Sequence, residues 1–348
     1  MIAANAPDVD VLSFVRGSWF AMSFRRGITH GVPALIVLPW LVAGAIMAWD
    51  RGVRLRRTPD APPARFGPLL LLSYLGVLTH PALDWMNTYG MRWWLPFDGS
   101  WSYGDSLFIS DPWLWLMLGS AVALAAPRSR GASAAWLALA GAASAVVLRT
   151  AVVPLTGKIA WTVLVLAAVA TAALGRPLTP VGRTRAARAL GTAAIVYIGL
   201  MMAFHHAAVG DVRNALASAG VTEARAIMVG PLPADPLASD VVVETPDRFL
   251  FGAHDWLATP RARVGMDGAL PTLELGAGVT PEEAAAAVAA ARLRPDVAFY
   301  LVWSRFPVWA VGLTPGGLSV RVGDARYPSP GPLGGPTVIV PSPAPPTP

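Results

Sequence analysis

The 348-residue chain is 54% hydrophobic and only 14% charged, with a mean hydropathy of +0.51. Soluble domains carry about 25% charged residues, so the composition points to an integral membrane protein. The absence of cysteine excludes disulfide staples, thiolate metal ligands and a cysteine nucleophile. The net charge of +6 comes almost wholly from arginine, with Lys158 the single lysine. These arginines fall in membrane-proximal loops and form no basic face interleaved with aromatics, so nucleic acid is not an expected partner.

The opening "MIAANAPDVD" lacks the basic region and apolar core of a secretory signal peptide. It places Asp8 and Asp10 just after Pro7, where a turn and a helix cap are the plain explanation. "VLSFVRGSWFAMSFRRG" (11–27) has aromatics at helical spacing and terminal arginines, a pattern that suits an interfacial helix better than a span. "FRRGITHG" then sets His30 two residues ahead of the first long apolar run.

A helix needs about 20 mostly apolar residues to cross a bilayer. Runs of that kind lie at 32–49, 66–83, 112–127, 131–148, 159–175 and 189–210, which predicts about six spans. The first connection, "DRGVRLRRTPDAPPAR", holds five arginines; Arg128 and Arg130 mark the third, and Arg176, Arg183, Arg185 and Arg188 the fifth. The positive-inside rule puts these three loops in the cytoplasm of a multi-pass inner-membrane protein. His30, at the start of the first run, and His80, at the end of the second, then share the extracytoplasmic side. Asp8, Asp10, Asp84, Asp98, Asp105 and Asp111 share it with them.

The second run ends in "HPALDWMNTYG" (80–90), in which His80 and Asp84 stack on one helical face. A histidine and a carboxylate at this spacing suit Zn²⁺, Mn²⁺ or Mg²⁺; a helix-end histidine bonded to a nearby carboxylate is the plain alternative. Ionisable groups near membrane helices are costly and mark function, so their convergence on one face carries more weight than any one of them. "MRWWLPFDGSWSYGDSLF" (91–108) is dense in interfacial aromatics and is expected to cover the outer helix ends. Asp111 before Pro112 fits a helix start, whereas Asp105 has no such local explanation.

Beyond residue 210 the pattern changes. "DVVVET", "RFLFGA", "FYLVWS" and "LSVRVG" alternate as strands do, and "PEEAAAAVAAARL" opens as a helix with Pro281 and two acids. The predicted organisation is a helical polytopic membrane domain (1–210), a small extracytoplasmic α+β domain (211–327) and a Pro-rich disordered tail (328–348). His205 and His206 are expected at the membrane interface, and His254 in a surface or core role. The sequence has no P-loop, no G-x-S-x-G and no H-E-x-x-H.

Taken in order, "ANAPDVD", "RRGITHG", "THPALDWMNTYGMRWWLPF", "WSYGDSLFISDPWLW" and, in the tail domain, "SRFPVWAV" with "VGDARY" resemble the membrane-bound, metal-dependent hydrolase family of the YdjM type, which includes LexA-regulated inner-membrane proteins. The resemblance runs from residue 1 to about 330. It implies metal-site roles for Asp8, Asp10, His30, His80 and Asp84, with Asp105 as a possible addition. Family members usually carry a Thr-His pair ahead of the aspartate motif, where this sequence starts at Met1; either the natural protein is longer or this copy has an incomplete site. The family commonly has serine where Gly31 stands.

The function expected is metal-assisted hydrolysis at the outer membrane boundary, with one or two divalent ions activating water. Asp105 would act as general base, and Arg26 or Arg92 would steady an anionic leaving group such as that of a lipid-linked phosphate ester. The alternative is a non-catalytic membrane protein with a degenerate or structural site and an outer interaction domain. A transporter lacks support, because no paired broken helices mark two repeats.

Overall fold

The computed structural model describes residues 1–125, 129–151, 153–174, 179–327 and 334–341. The chain opens with one helical turn, α1 (Ile2–Asn5), a 3-10 helix (Pro7–Arg16) and α2 (Ser18–Phe24). The first long apolar run forms α3 (Val32–Trp49), entered through a proline in its first turn, where a missing N–H costs nothing. A π-turn (Asp50–Arg54) extends it into α4 (Leu55–Arg57), and α5 (Phe66–Trp85) returns beside it. α1 lies against both, with Ala3 packed on Leu35, Val42 and Val77.

Three apolar helices follow, α6 (Pro112–Ala125), α7 (Arg130–Arg149) and α8 (Leu155–Leu174). α9 (Pro180–Ser218) starts where the Thr179 side chain accepts the Gly182 N–H. Among the described residues, three helices are long and apolar enough to cross a membrane: Val32–Arg57, Phe66–Trp85 and Pro180–Ser218. The other three expected spans are occupied by shorter apolar helices. Exposed leucines at 71, 72 and 75 on α5 leave a surface suited to lipid.

The rest of the chain is rich in strands. β1 (Ala226–Leu232), β2 (Asp235–Glu244), β3 (Arg248–Asp255) and β4 (Ala262–Pro271) form an antiparallel meander. The second sheet runs β5 (Leu273–Leu275), β6 (Pro307–Thr314), β7 (Gly317–Asp324) and β8 (Thr337–Val340), with β5 parallel to β6 and the other pairs antiparallel. α10 (Pro281–Arg292), opened by a Thr280/Glu283 capping box, and α11 (Pro295–Trp303) cover it around Tyr300, Trp303, Val311 and Val322.

α9 continues beyond the expected end of its apolar run at residue 210. At 39 residues it is about 58 Å long, well beyond a hydrocarbon core of about 30 Å. Its last turns put Ala208, Val212 and Leu216 against Val229, Val241, Val243 and Leu250 of the meander. The boundary expected at 210/211 therefore falls inside one continuous helix. His205, expected at a membrane surface, instead turns Nδ1 to the Val229 carbonyl at 3.1 Å. His254 is fully buried, with Nε2 3.1 Å from Asp211 Oδ2. β8 lies in the stretch expected to be a disordered tail, whose segments 328–333 and 342–348 lie outside the described residues.

The expectation for residues 11–27 also changes. α2 is not a free interfacial helix, because Phe20 meets Phe299 and Trp19 meets Tyr300 edge-on, at 5.4 and 5.6 Å between ring centroids. One face of α2 is thus covered by α11.

Candidate metal centre

Four side chains from three elements converge where α3 begins and α5 ends. Asp8 comes from the 3-10 helix, His30 from the turn before α3, and His80 and Asp84 from successive turns of α5. His30 Nε2 lies 3.8 Å from Asp8 Oδ1 and 3.4 Å from Asp84 Oδ2. His80 Nε2 lies 3.5 Å from both Asp8 Oδ2 and Asp84 Oδ2. A tetrahedral ion with bonds of 2.0–2.1 Å separates its ligands by about 3.4 Å, so these spacings fit one small divalent cation. Asp8, His30 and His80 form a possible metal-ligand group, and Asp84 lies within the same reach.

The orientation of His30 is fixed from behind. Its ring is fully buried, and Nδ1 faces Asp10 Oδ2 at 3.3 Å. The same oxygen accepts from the Arg26 backbone N–H at 3.0 Å and the Thr29 hydroxyl at 3.1 Å. A proton on Nδ1 toward Asp10 leaves the Nε2 lone pair turned to the cluster. Nε2 is buried and makes no aligned hydrogen bond, an arrangement that costs stability unless something else fills the gap.

Burial acts to lower the His30 pKa, but the neighbouring Asp10 and Asp84 carboxylates outweigh it and raise the value above the ordinary 6.5. Burial acts to raise Asp10, and its bonds from His30, Arg26 and Arg25 reverse this, so its pKa falls.

Two arginines border the cluster. Arg25 reaches Asp8 at 3.1 Å and Asp10 at 3.2 Å. Arg26 pairs with Asp84 Oδ1 at 2.9 Å and donates to Asn87 Oδ1 at 2.9 Å. Arg26 has a φ of +52°, a strained region for a residue other than glycine, of the kind that gathers at functional sites. The turn is held against the aromatic loop by Val32 N–H to Trp93 O and Arg92 N–H to Arg26 O. Gly31 fits this seam because a Cβ there would sit 2.9 Å from the Trp93 carbonyl oxygen.

Two of the expected site residues are engaged elsewhere. Arg92 donates to the backbone carbonyls of Ser23, Phe24 and Arg25 and lies over Trp101, so it staples the end of α2 to the aromatic loop. Asp105 is gripped by Arg305 through two parallel bonds of 2.8 and 2.9 Å. Neither is poised beside the cluster for the acid–base and leaving-group roles expected of them. The reach of Arg25 to Asp8 was not anticipated; the only signal for it was its place beside Arg26 in the "RRGITH" motif.

Residues 1–153, the segment that builds this cluster, match the family model described as YdjM inner membrane protein. That match takes in 153 of the chain's 348 residues. The chain is also similar to the "Uncharacterized protein YfhP" of Bacillus subtilis (strain 168), with 23% identity over 124 residues. That match covers 36% of this chain and 35% of the relative, so the chain spans about a third of that relative's length. No solved structure matches it. The matched segment thus contains all four converging side chains, together with Asp10 and both bordering arginines. The α+β domain lies beyond it.

Proposed function

We propose that this membrane protein, similar to the YdjM family over residues 1–153, is a metal-dependent hydrolase whose centre is formed by His30, His80, Asp8 and Asp84. The observation that carries this is the buried Nε2 of His30, unpartnered and aimed among a second imidazole and two carboxylates at tetrahedral spacing. Two imidazoles with two carboxylates suit Zn²⁺ or Mn²⁺ better than Mg²⁺, which prefers an all-oxygen shell. A divalent ion bound there would supply a water of near-neutral pKa and a Lewis acid for the scissile group.

The protein's own residues carry the remaining work. Asp10 holds His30 in one tautomer and orientation. Asp8, the most exposed of the four, marks the side from which water and substrate would reach the ion. Arg25 stands beside Asp8, where its guanidinium suits an anionic group such as a phosphate ester. The cluster lies at the ends of membrane-suited helices, which favours a lipid-linked substrate presented at the extracytoplasmic boundary of a multi-pass fold.

The test is metal content and lipid-phosphoester hydrolysis by purified wild type and His80→Ala. We expect about one equivalent of metal in the wild type, with metal and turnover both lost in the variant. Equal metal and equal turnover in the two proteins would overturn the proposal. The Arg25–Asp8 and Arg26–Asp84 pairs favour a second reading, in which the cluster is an ion-paired structural hub. In that case the wild type would bind no metal, and His80→Ala would lower only its melting temperature.

A further inference from the structure

The C-terminal α+β domain lies outside the family match, yet it grips the end of the helix that carries half of the cluster. Asp105 occupies a left-handed backbone conformation, φ +44°, which aspartate adopts more readily than most residues other than glycine. Its carboxylate is held in a two-bond fork by Arg305, which follows α11. The residues on either side of Asp105 are bonded to α5: Gly104 N–H donates to Trp85 O, and Ser106 and Leu107 N–H donate to Met86 O, at 2.7–2.9 Å. These are terminal carbonyls of α5, which have no partner within the helix. Gly104 permits the approach, since a Cβ there would lie 2.9 Å from Met86 Cα and Trp85 O.

Two further contacts reach the segment just after α5. Arg326 donates to Thr88 O at 2.7 Å while Asp324 holds the rest of its guanidinium. Tyr89 lies between Trp303 and Trp101, and its ring supports Arg26, whose guanidinium lies 4.4 Å from the centroid. Arg26 in turn pairs with Asp84. Trp101 is itself tied to the domain through Nε1–H to the Val302 carbonyl.

We infer that Arg305 is a positioning residue for the metal centre: through Asp105 and the 104–107 loop it fixes the last turn of α5, and so sets His80 and Asp84 against His30. Arg326 and Trp303 serve the same segment from the other side. The α+β domain is therefore a structural part of the centre, although among the described residues none of its side chains enters the cluster.

The inference rests on the metal reading proposed above, and its test separates the two. Full-length protein would be compared as wild type, as the pair Asp105→Asn/Arg305→Gln, which leaves no buried charge unmatched, and as Arg305→Lys. Hydrogen exchange of the 84–88 amides is measured without metal, and the absorption spectrum is recorded with Co²⁺. In the double variant we expect at least tenfold faster exchange at 84–88, a changed cobalt spectrum and at least tenfold weaker Co²⁺ binding. In Arg305→Lys, which keeps the charge but not the fork, we expect partial recovery of each.

Unchanged exchange would overturn the inference, as would faster exchange with an unaltered cobalt spectrum and affinity. If the wild type binds no cobalt, the metal reading fails. Exchange alone then decides whether the domain holds α5.

Discussion

Asp8 and Asp10 are two residues apart and take up different work because of the helix they lie on. A 3-10 turn advances about 120° per residue, so the two side chains leave the helix in different directions. Asp8 faces the cluster and Asp10 goes behind His30. The sequence shows two carboxylates in one motif, but their division of labour depends on a helix type that the composition of "PDVDVLSFVR" does not announce. Asp10→Asn should keep a metal site while weakening its affinity about 10–100-fold, the usual loss when a carboxylate behind a ligating histidine is removed. Competition against a chromophoric chelator measures this. The pH dependence follows from the raised pKa of His30. In the metal-free protein its proton is favoured by Asp10 and Asp84, and that stabilisation is complete below about 6.5 and lost as pH rises through the higher folded value. A cation must displace that proton, so as pH is lowered affinity should begin to fall while the pH is still above 6.5. The fall should approach about tenfold per unit for each proton displaced. Titrations between pH 5.5 and 8.5 would show the onset, and a flat profile would contradict the assignment.

At the scale of the element, the i, i+4 placement of His80 and Asp84 was legible because a long apolar run can only be a helix, and a helix fixes which residues share a face. The role of Asp105 was not. Its lack of a local explanation was visible in "SYGDSLF", but its partner is 200 residues away, and no spacing rule reaches that far. The same holds for α2, whose aromatics look interfacial until α11 is found against them. Gly31 shows how a small residue at an element boundary encodes a close approach. It joins the His30 turn to α3 with ordinary helix-entry geometry, so conformational freedom does not explain it; proximity to the Trp93 and Arg92 carbonyls does. Gly31→Ser places a Cβ about 3 Å from those oxygens and should cost about 1–3 kcal/mol, the range for overpacking a tight site. Thermal unfolding in detergent would register this as a lowered midpoint. An unchanged midpoint would mean that the loop yields freely.

The whole molecule is organised around one polarity. The cluster, the aromatic loop and both sheets gather at the end of α5, while the arginine-rich connection 50–65 lies at the opposite ends of α3 and α5. α9 links the two layers, with an apolar stretch that suits lipid and last turns that carry the meander. Such a helix leaves its soluble partner on the side where it emerges, which is why the membrane and α+β parts could be recognised from composition while their joint could not. If the charge asymmetry sets orientation as it does in multi-pass proteins, the cluster and the α+β domain face away from the cytoplasm. The cysteine-free chain is a ready background for testing this. Single cysteines at Val15 and Leu257, 87% and 81% exposed, and at exposed Arg57 would sample the three regions. In intact cells a membrane-impermeant maleimide should label Val15→Cys and Leu257→Cys within minutes and spare Arg57→Cys until the membrane is opened. Labelling of Arg57→Cys alone would invert the fold in the membrane. Labelling of Val15→Cys without Leu257→Cys would place the cluster and the domain on different sides, a result incompatible with the Arg305–Asp105 and Arg326–Thr88 contacts that join them.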